Sequence, residues 1–163
     1  MKAIVLYESK TGNTQKMAEA IASGMRKVEG VEVKTCPIEA VDFEWARESK
    51  CIILGSPTYC ANVSGSVKTF LEGPFRECAP VGKLGGAFAT ANYVHGGGDL
   101  GVTLILEHML VFGMLIYSGG GAFGTPVVHL GPVAWSPHLE EFSEIFSLYG
   151  ERMAGKALEI FGK

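Results

Sequence analysis

The sequence predicts an α/β fold built on one doubly wound parallel sheet, and three observations carry that expectation. Two uniformly apolar runs, Ala3-Ile4-Val5-Leu6-Tyr7 and Cys51-Ile52-Ile53-Leu54-Gly55, read as strands buried on both faces. Strand-like and helix-like stretches alternate along the chain, the pattern of successive βα units. The segments that follow the first, third and fourth strands are rich in glycine, hydroxyls and aromatics, and in such sheets ligands bind outside the carboxyl ends of the strands.

The first strand ends in Ser9-Lys10-Thr11-Gly12-Asn13-Thr14, after which Met17, Ala18, Ile21, Ala22, Met25 and Val28 recur at helical spacing. The turn therefore stands at a helix N-terminus, where unpaired N–H groups and the helix dipole favour an anion by about 0.3–1 kcal/mol. Hydroxyls of Ser9, Thr11 and Thr14 add possible donors, and Gly12 permits a positive φ or close backbone approach. Two readings are open at this point: a phosphate cradle, and a plain helix cap, since Thr and Asn cap helices and Gly makes turns. It is no Walker P-loop, because G-x-x-x-x-G-K-[ST] is absent.

Glu29-Gly30 stops the first helix, and Val31 to Cys36 alternates with period two, as a strand nearer a sheet edge does. Pro37 turns the chain, Ile38 to Glu48 reads as a short helix, and the second apolar run is the third strand. Ser56 to Asn62 is expected to be a loop and Ser64 to Leu71 a helix ended by Gly73-Pro74. Leu84 to Thr90 is a fourth strand whose small residues let a helix or ligand come close, and Ala91 to Gly98 is the loop after it. Leu100 to Phe112 is a helix stopped by Gly113, and Met114 to Tyr117 is the fifth strand. The Gly/Pro-rich connection from Gly119 through Trp135 is longer than compact domains usually carry without a function. Ser136-Pro137 opens a final helix with Leu139, Phe142, Ile145, Phe146, Tyr149, Met153 and Ile160 on its buried face.

A single domain over residues 1–163 is expected at this length. A hydrophobic content of 47% and a formal charge of -3 argue against a disordered tail, a polybasic nucleic-acid surface or a strongly acidic docking face. No signal peptide is visible and no apolar stretch nears the roughly 20 residues of a membrane span, so the reading is cytoplasmic, with neither membrane nor nucleic acid as partner. Cys36, Cys51, Cys60 and Cys78 form no C-x-x-C pair, which argues against a metal centre. Cys36 and Cys51 read as core thiols, Cys60 and Cys78 as loop residues. His95 and His129 have no partner at ligand spacing and read as solvated loop residues. Residues 96–101 fit G-x-G-x-x-G, but that fingerprint belongs directly after the first strand of a βαβ unit.

A ligand bridging the three loops needs a phosphate end and a flat apolar body, for which Tyr59 and Tyr93 could supply aromatic faces. Flavin mononucleotide (FMN) fits that description. Residues 9 to 14 resemble the phosphate loop of flavodoxins, and the order of elements matches their fold along essentially the whole chain. The resemblance sharpens toward the WrbA-type NAD(P)H:quinone oxidoreductases through Gly55-Ser56-Pro57-Thr58, Asn62-Val63-Ser64-Gly65, Thr69-Phe70-Leu71, Gly96-Gly97-Gly98, Gly113-Met114 and Gly150 to Gly155.

That resemblance implies a flavodoxin-like three-layer sandwich with a five-stranded parallel sheet in the order 2-1-3-4-5. It implies that Ser9, Lys10, Thr11, Gly12, Asn13 and Thr14 hold the FMN phosphate. Pro57, Thr58, Tyr59, Cys60, Ala61 and Asn62 would line the isoalloxazine, and Thr90, Ala91, Asn92, Tyr93, Gly96 and Gly97 would clasp its other side. It implies a reductase that takes hydride from NAD(P)H and passes electrons to a quinone or similar small-molecule acceptor, with no catalytic side chain assigned. A homo-oligomer, dimer or tetramer, is expected, with Phe75, Phe123 and Trp135 in loops available to its interfaces. The alternative is a flavodoxin-type electron carrier between redox proteins. A response-regulator module is set aside because Gly55-Ser56-Pro57 stands where an acceptor Asp belongs. Four features depart from the WrbA-type pattern: the short segment from Pro37 to Lys50, Phe112 in place of a His, Cys60-Ala61 in place of Phe-Gly, and Lys10 in place of an uncharged residue.

Overall fold

The structure, a computed structural model, describes residues 1–162, so Lys163 lies outside it. In chain order the elements are β1 (Lys2–Tyr7), α1 (Asn13–Met25), β2 (Glu32–Pro37), α2 (Phe43–Glu48), β3 (Cys51–Tyr59), β4 (Asn62–Val63) and α3 (Gly65–Glu72). There follow β5 (Leu84–Ala91), α4 (Gly98–Val111), β6 (Leu115–Ile116), β7 (Val133–Trp135) and α5 (Ser143–Phe161). The sheet order is β2-β1-β3-β5-β6, all parallel, so the expected 2-1-3-4-5 order stands with β5 and β6 as its fourth and fifth strands.

Side chains alternate across the pleat and sort the core into two layers. Ala3, Val5 and Tyr7 face α1 and α5, whereas Ile4 and Leu6 face α2, α3 and α4. The layer on α1 and α5 is closed by two glycines. A Cβ on Gly24 would sit 1.7 Å from the Ser147 carbonyl oxygen, and one on Gly150 would sit 2.0 Å from that of Ile21. Only glycine lets these helices cross so closely, which gives the Gly150 seen in the sequence a packing role.

Four expectations are corrected. Pro57, Thr58 and Tyr59 are not loop but the end of β3, which pairs with β5 through Pro57↔Thr90 and then folds back on β4 through Tyr59↔Asn62. The long connection after β6 holds a strand: β7 pairs parallel with β5 through Ala89↔Val133, Thr90↔Ala134 and Ala91↔Trp135. The fifth position in the sheet is thus split between β6 below and β7 above. Ser136 and Pro137 open a 3-10 segment, Ser136–Phe142, kinked at His138, and α5 starts only at Ser143. The segment from Ile38 to Glu48 is likewise two pieces, a 3-10 turn Ile38–Ala40 and then α2, because Val41 is extended.

Phe75 is not available to an interface. It is fully buried in a 3-10 turn, Pro74–Cys78, edge-on to Phe70 at 5.8 Å and to Phe112 at 5.5 Å. Phe112, at the C-terminal end of α4, serves that same cluster at the far end of the sheet from the β5 and β3 loops. Cys78 is buried as well, leaving Cys60 as the exposed thiol.

Candidate functional site

The turn between β1 and α1 bears on the two open readings. Gly12 is the N-cap of α1 at φ 87, a left-handed conformation, and no side chain caps the helix. The first N–H groups of α1 are therefore unspent and directed out of the helix end. Ser9 Oγ and Thr58 Oγ1, one on each side of the turn, are both buried without a hydrogen-bond partner. A buried hydroxyl without a partner costs roughly 1–3 kcal/mol, so each of the two has hydrogen-bonding capacity that the chain itself does not use. Thr14 does not share that condition: its Oγ1 lies 2.9 Å from Thr90 Oγ1, a buried pair that ties α1 to β5.

Around this point lies a cavity of about 220 Å³. Of the sequence-derived candidates, Lys10, Thr11, Asn13, Thr14, Pro57, Thr58, Tyr59, Thr90 and Asn92 line it. Lys10 Nζ stands 5.4 Å from the centre of the Tyr59 ring, a cation on an aromatic face at the cavity mouth. Tyr93, Ala91 and Gly97 line a neighbouring cavity of about 390 Å³, walled below by Val133, Trp135 and Phe142. Ser9 and Gly12 belong to the turn without lining the cavity, while Cys60, Ala61 and Asn62 form the tip of the β3–β4 hairpin and Gly96 belongs to the loop over the second cavity.

Cys60 and Ala61 have φ of 51 and 57, so the tight hairpin turn is made of two left-handed residues that are not glycine. Ala61 rests against Gly97, where an added Cβ would come within 2.6 Å of Ala61 Cα; the hairpin and the α4 loop touch only because residue 97 is glycine. The Asn62 side chain accepts from Val63 N at 2.9 Å and stabilises the return strand.

One residue lining the site, and one buried beside it in the chain, were missed from sequence. Ser136 lines the first cavity; its only signal was a hydroxyl beside Pro137, which reads equally as a helix cap. Glu8 is buried, with Oε2 unpartnered, between the apolar β1 and the phosphate-type turn. Nothing in a strand-end glutamate announces burial. A larger cleft of about 590 Å³ beside α5 is floored by Arg152, which is spent on the Pro126 carbonyl at 2.9 Å and on the Phe123 ring at 5.0 Å. It lies away from the strand ends and away from Ser9 and Thr58.

Among the described residues no group of three or more His, Cys, Asp or Glu could hold a metal, and no helix is long and apolar enough to cross a membrane.

A doubly wound parallel sheet with its candidate residues gathered at the strand ends defines an α/β protein of the class in which ligands bind at that edge. Residues 4–76 match the family described as Flavodoxin domain. A flavodoxin of Clostridium saccharobutylicum is 45% identical over 161 residues, covering 99% of this chain and 100% of that protein. The chain belongs to the flavodoxin family, and membership implies FMN as cofactor and electron transfer as its work. Among solved structures, a flavodoxin from the domain Archaea superposes with a TM-score of 0.79 at 27% identity, covering 96% of this chain and 99% of that one. A WrbA-like flavodoxin from Agrobacterium tumefaciens gives a TM-score of 0.80 over 97% of this chain and 98% of that one, at 23% identity. That likeness shows the fold alone, so the sharper resemblance to WrbA-type oxidoreductases goes no further than the flavodoxin family.

Proposed function

We propose that the chain is an FMN-binding one-electron carrier whose phosphate subsite is the Ser9-to-Thr14 turn. The observation that carries the phosphate assignment is the pair of buried, unpartnered hydroxyls, Ser9 Oγ and Thr58 Oγ1, beside the uncapped N-terminus of α1. Phosphate oxygens would accept from Ser9, Thr11 and the free N–H groups, and Lys10 adds a cation at the mouth. Bound FMN supplies reversible electron transfer; the chain binds, orients and partly shields it.

The carrier reading is favoured over the NAD(P)H:quinone reductase by two points. The relative at 45% identity is named a flavodoxin. The two adjoining cavities, about 220 and 390 Å³, carry exposed aromatic side chains in their walls, which would leave the ring edge open to a partner. Tyr59 and Tyr93 stand exposed beside it, 42% and 73%, where an incoming redox protein would meet them. Homo-oligomerisation rests on another patch, Val81, Leu110, Val111 and Leu115, which are exposed around Gly113. Sedimentation showing only monomer at micromolar concentration would remove that part of the proposal.

Reductive titration of the FMN-loaded protein decides between the two activities. Two separated one-electron midpoint potentials, with no reduction by excess NADH or NADPH, are expected. A single two-electron step with rapid reduction by either nucleotide would restore the reductase. For the phosphate turn, Ser9→Ala or Thr11→Ala is expected to weaken FMN by roughly 10- to 100-fold while leaving riboflavin nearly unchanged, as follows from about 1.5–3 kcal/mol per hydrogen bond to a charged oxygen. Equal losses for both ligands would mean the turn is structural.

A further inference from the structure

The loop from Asn92 to Gly96 has little to hold it. Asn92, Tyr93, Val94 and His95 are exposed, and the last three line the cavity of about 390 Å³. Within the loop, Gly96 N donates to the Tyr93 carbonyl at 3.0 Å. From outside it, the indole Nε1 of Trp135 donates to the Asn92 carbonyl oxygen at 2.8 Å. Asn92 lines the smaller cavity at the phosphate turn while its neighbours Ala91 and Tyr93 line the larger, so this hydrogen bond ends on a residue between the two spaces.

Trp135 is well placed to act as a fixed post. It is the last residue of β7, in register with Ala91, the last residue of β5. Its ring stacks on His138, with centroids 4.5 Å apart and planes at 19°, and His138 Nδ1 lies 3.0 Å from Glu141 Oε1. The kink at His138, where φ is -134 inside the 3-10 segment, turns the imidazole onto the indole.

We infer that Trp135 is a positioning residue for the flavin: its N–H fixes the Asn92 carbonyl and so sets the height of the 92–97 loop against the isoalloxazine. The inference rests on the FMN reading above. Its signature differs from that of the phosphate turn, because the ring is common to FMN and riboflavin whereas the phosphate is not. The split fifth strand thereby acquires a purpose: β7 delivers an indole donor to a flavin-side loop that lines a cavity.

The test is Trp135→Phe, which keeps an aromatic ring for the His138 stack and the cavity wall but has no N–H. Two readouts are taken: flavin affinity by fluorescence titration with FMN and with riboflavin, and amide hydrogen exchange of the flavin-free protein. FMN and riboflavin are expected to weaken alike, by about tenfold, with faster exchange at residues 93–97 and an unmoved thermal midpoint. Unchanged affinities, or a loss confined to FMN, would overturn the positioning role while leaving FMN binding by the wild type intact. Unchanged exchange at 93–97 would overturn it without any flavin present. A wild type that binds neither ligand would sink the FMN reading, and this inference with it.

Discussion

Tyr149 shows how a single side chain explains a strand. Its ring is fully buried on α5, and a Cβ on Gly86 would come within 2.3 Å of its hydroxyl oxygen, so Gly86 of β5 makes room for this tyrosine rather than for a ligand. The hydroxyl has no hydrogen-bond partner although the Ala87 backbone lies beside it, and burial pushes the phenol well above its ordinary range. Tyr149→Phe is therefore expected to stabilise the protein by about 1 kcal/mol, read from the urea midpoint; a loss of that size would mean the hydroxyl is satisfied. Lys83 is the opposite case, a buried ammonium that donates to the carbonyls of Ala46, Arg47 and Cys78 at 2.7, 2.8 and 2.7 Å. It ties the end of α2 to the Pro74–Cys78 turn and the start of β5. Burial pulls its pKa down to about 8, from 10.5 when free. Between those values the folded chain has released a proton that the unfolded chain keeps, so this group adds stability as pH rises. Cys51 and Cys78 oppose it: burial raises the thiols to about 12 and about 11, and the stability they contribute below pH 9 is lost as pH climbs through those values. Comparison with Lys83→Met separates the two. The variant is expected to be about 2 kcal/mol less stable at pH 7, and the gap to wild type should widen between pH 8 and 10. A gap that narrows would mean the three carbonyls hold the charge more strongly than burial opposes it.

At the scale of elements, the β3–β4 hairpin carries strain that its sequence hid. Left-handed backbone costs an ordinary residue about 1–2 kcal/mol, and Cys60 and Ala61 both adopt it, at φ 51 and 57. Ala61→Gly is expected to stabilise the flavin-free protein by roughly 0.5–1 kcal/mol, the relief being reduced by the greater freedom of glycine when unfolded. A destabilised Ala61→Gly in thermal denaturation would show that contact with Gly97, rather than strain, dominates there. Sequence periodicity missed this hairpin because β4 is two residues long and β3 continues through Pro57, a residue that argues against a central strand. It missed β7 for a related reason. Three residues, Val133 to Trp135, are too few for alternation to register, and the glycines from Gly119 to Gly124 signal only loop. By contrast β1, α1, β3 and α3 were legible, since their patterns run long enough to leave one physical reading. The phosphate turn lay between these extremes. Its residue types were visible, but the absence of a side-chain cap on α1 and the orphaned Ser9 and Thr58 hydroxyls, which support the proposed anion site over a helix cap, were not.

For the molecule as a whole, the two apolar runs and the alternation of elements pointed to one doubly wound parallel sheet, whereas the strand order within it came only from the resemblance to flavodoxins. What pattern alone could not give is how the charge is spent. The chain has 14 basic and 17 acidic residues, for a formal charge of -3. Many of these charges are paired on the surface: Lys2 with Glu48, Lys34 with Asp42, Lys68 with Glu72 and Lys156 with Glu159. At the cofactor edge Lys10 sits over Tyr59, and Asp99 opens α4 beside the second cavity, so opposite charges flank the exposed tyrosines. Such a surface exerts little long-range pull on a charged partner, and a Debye length of about 10 Å at 0.1 M salt screens most of what remains. Docking would then depend on short-range apolar contact at Tyr59, Tyr93, Val94 and Leu100, which are exposed around the two cavities. The expected result is a bimolecular rate of electron transfer from the reduced FMN form to a basic haem protein that falls by less than about threefold between roughly 0.02 and 0.3 M salt. A fall of tenfold or more in stopped-flow measurements would show that the acidic residues act together as a steering face, against the pairing seen here.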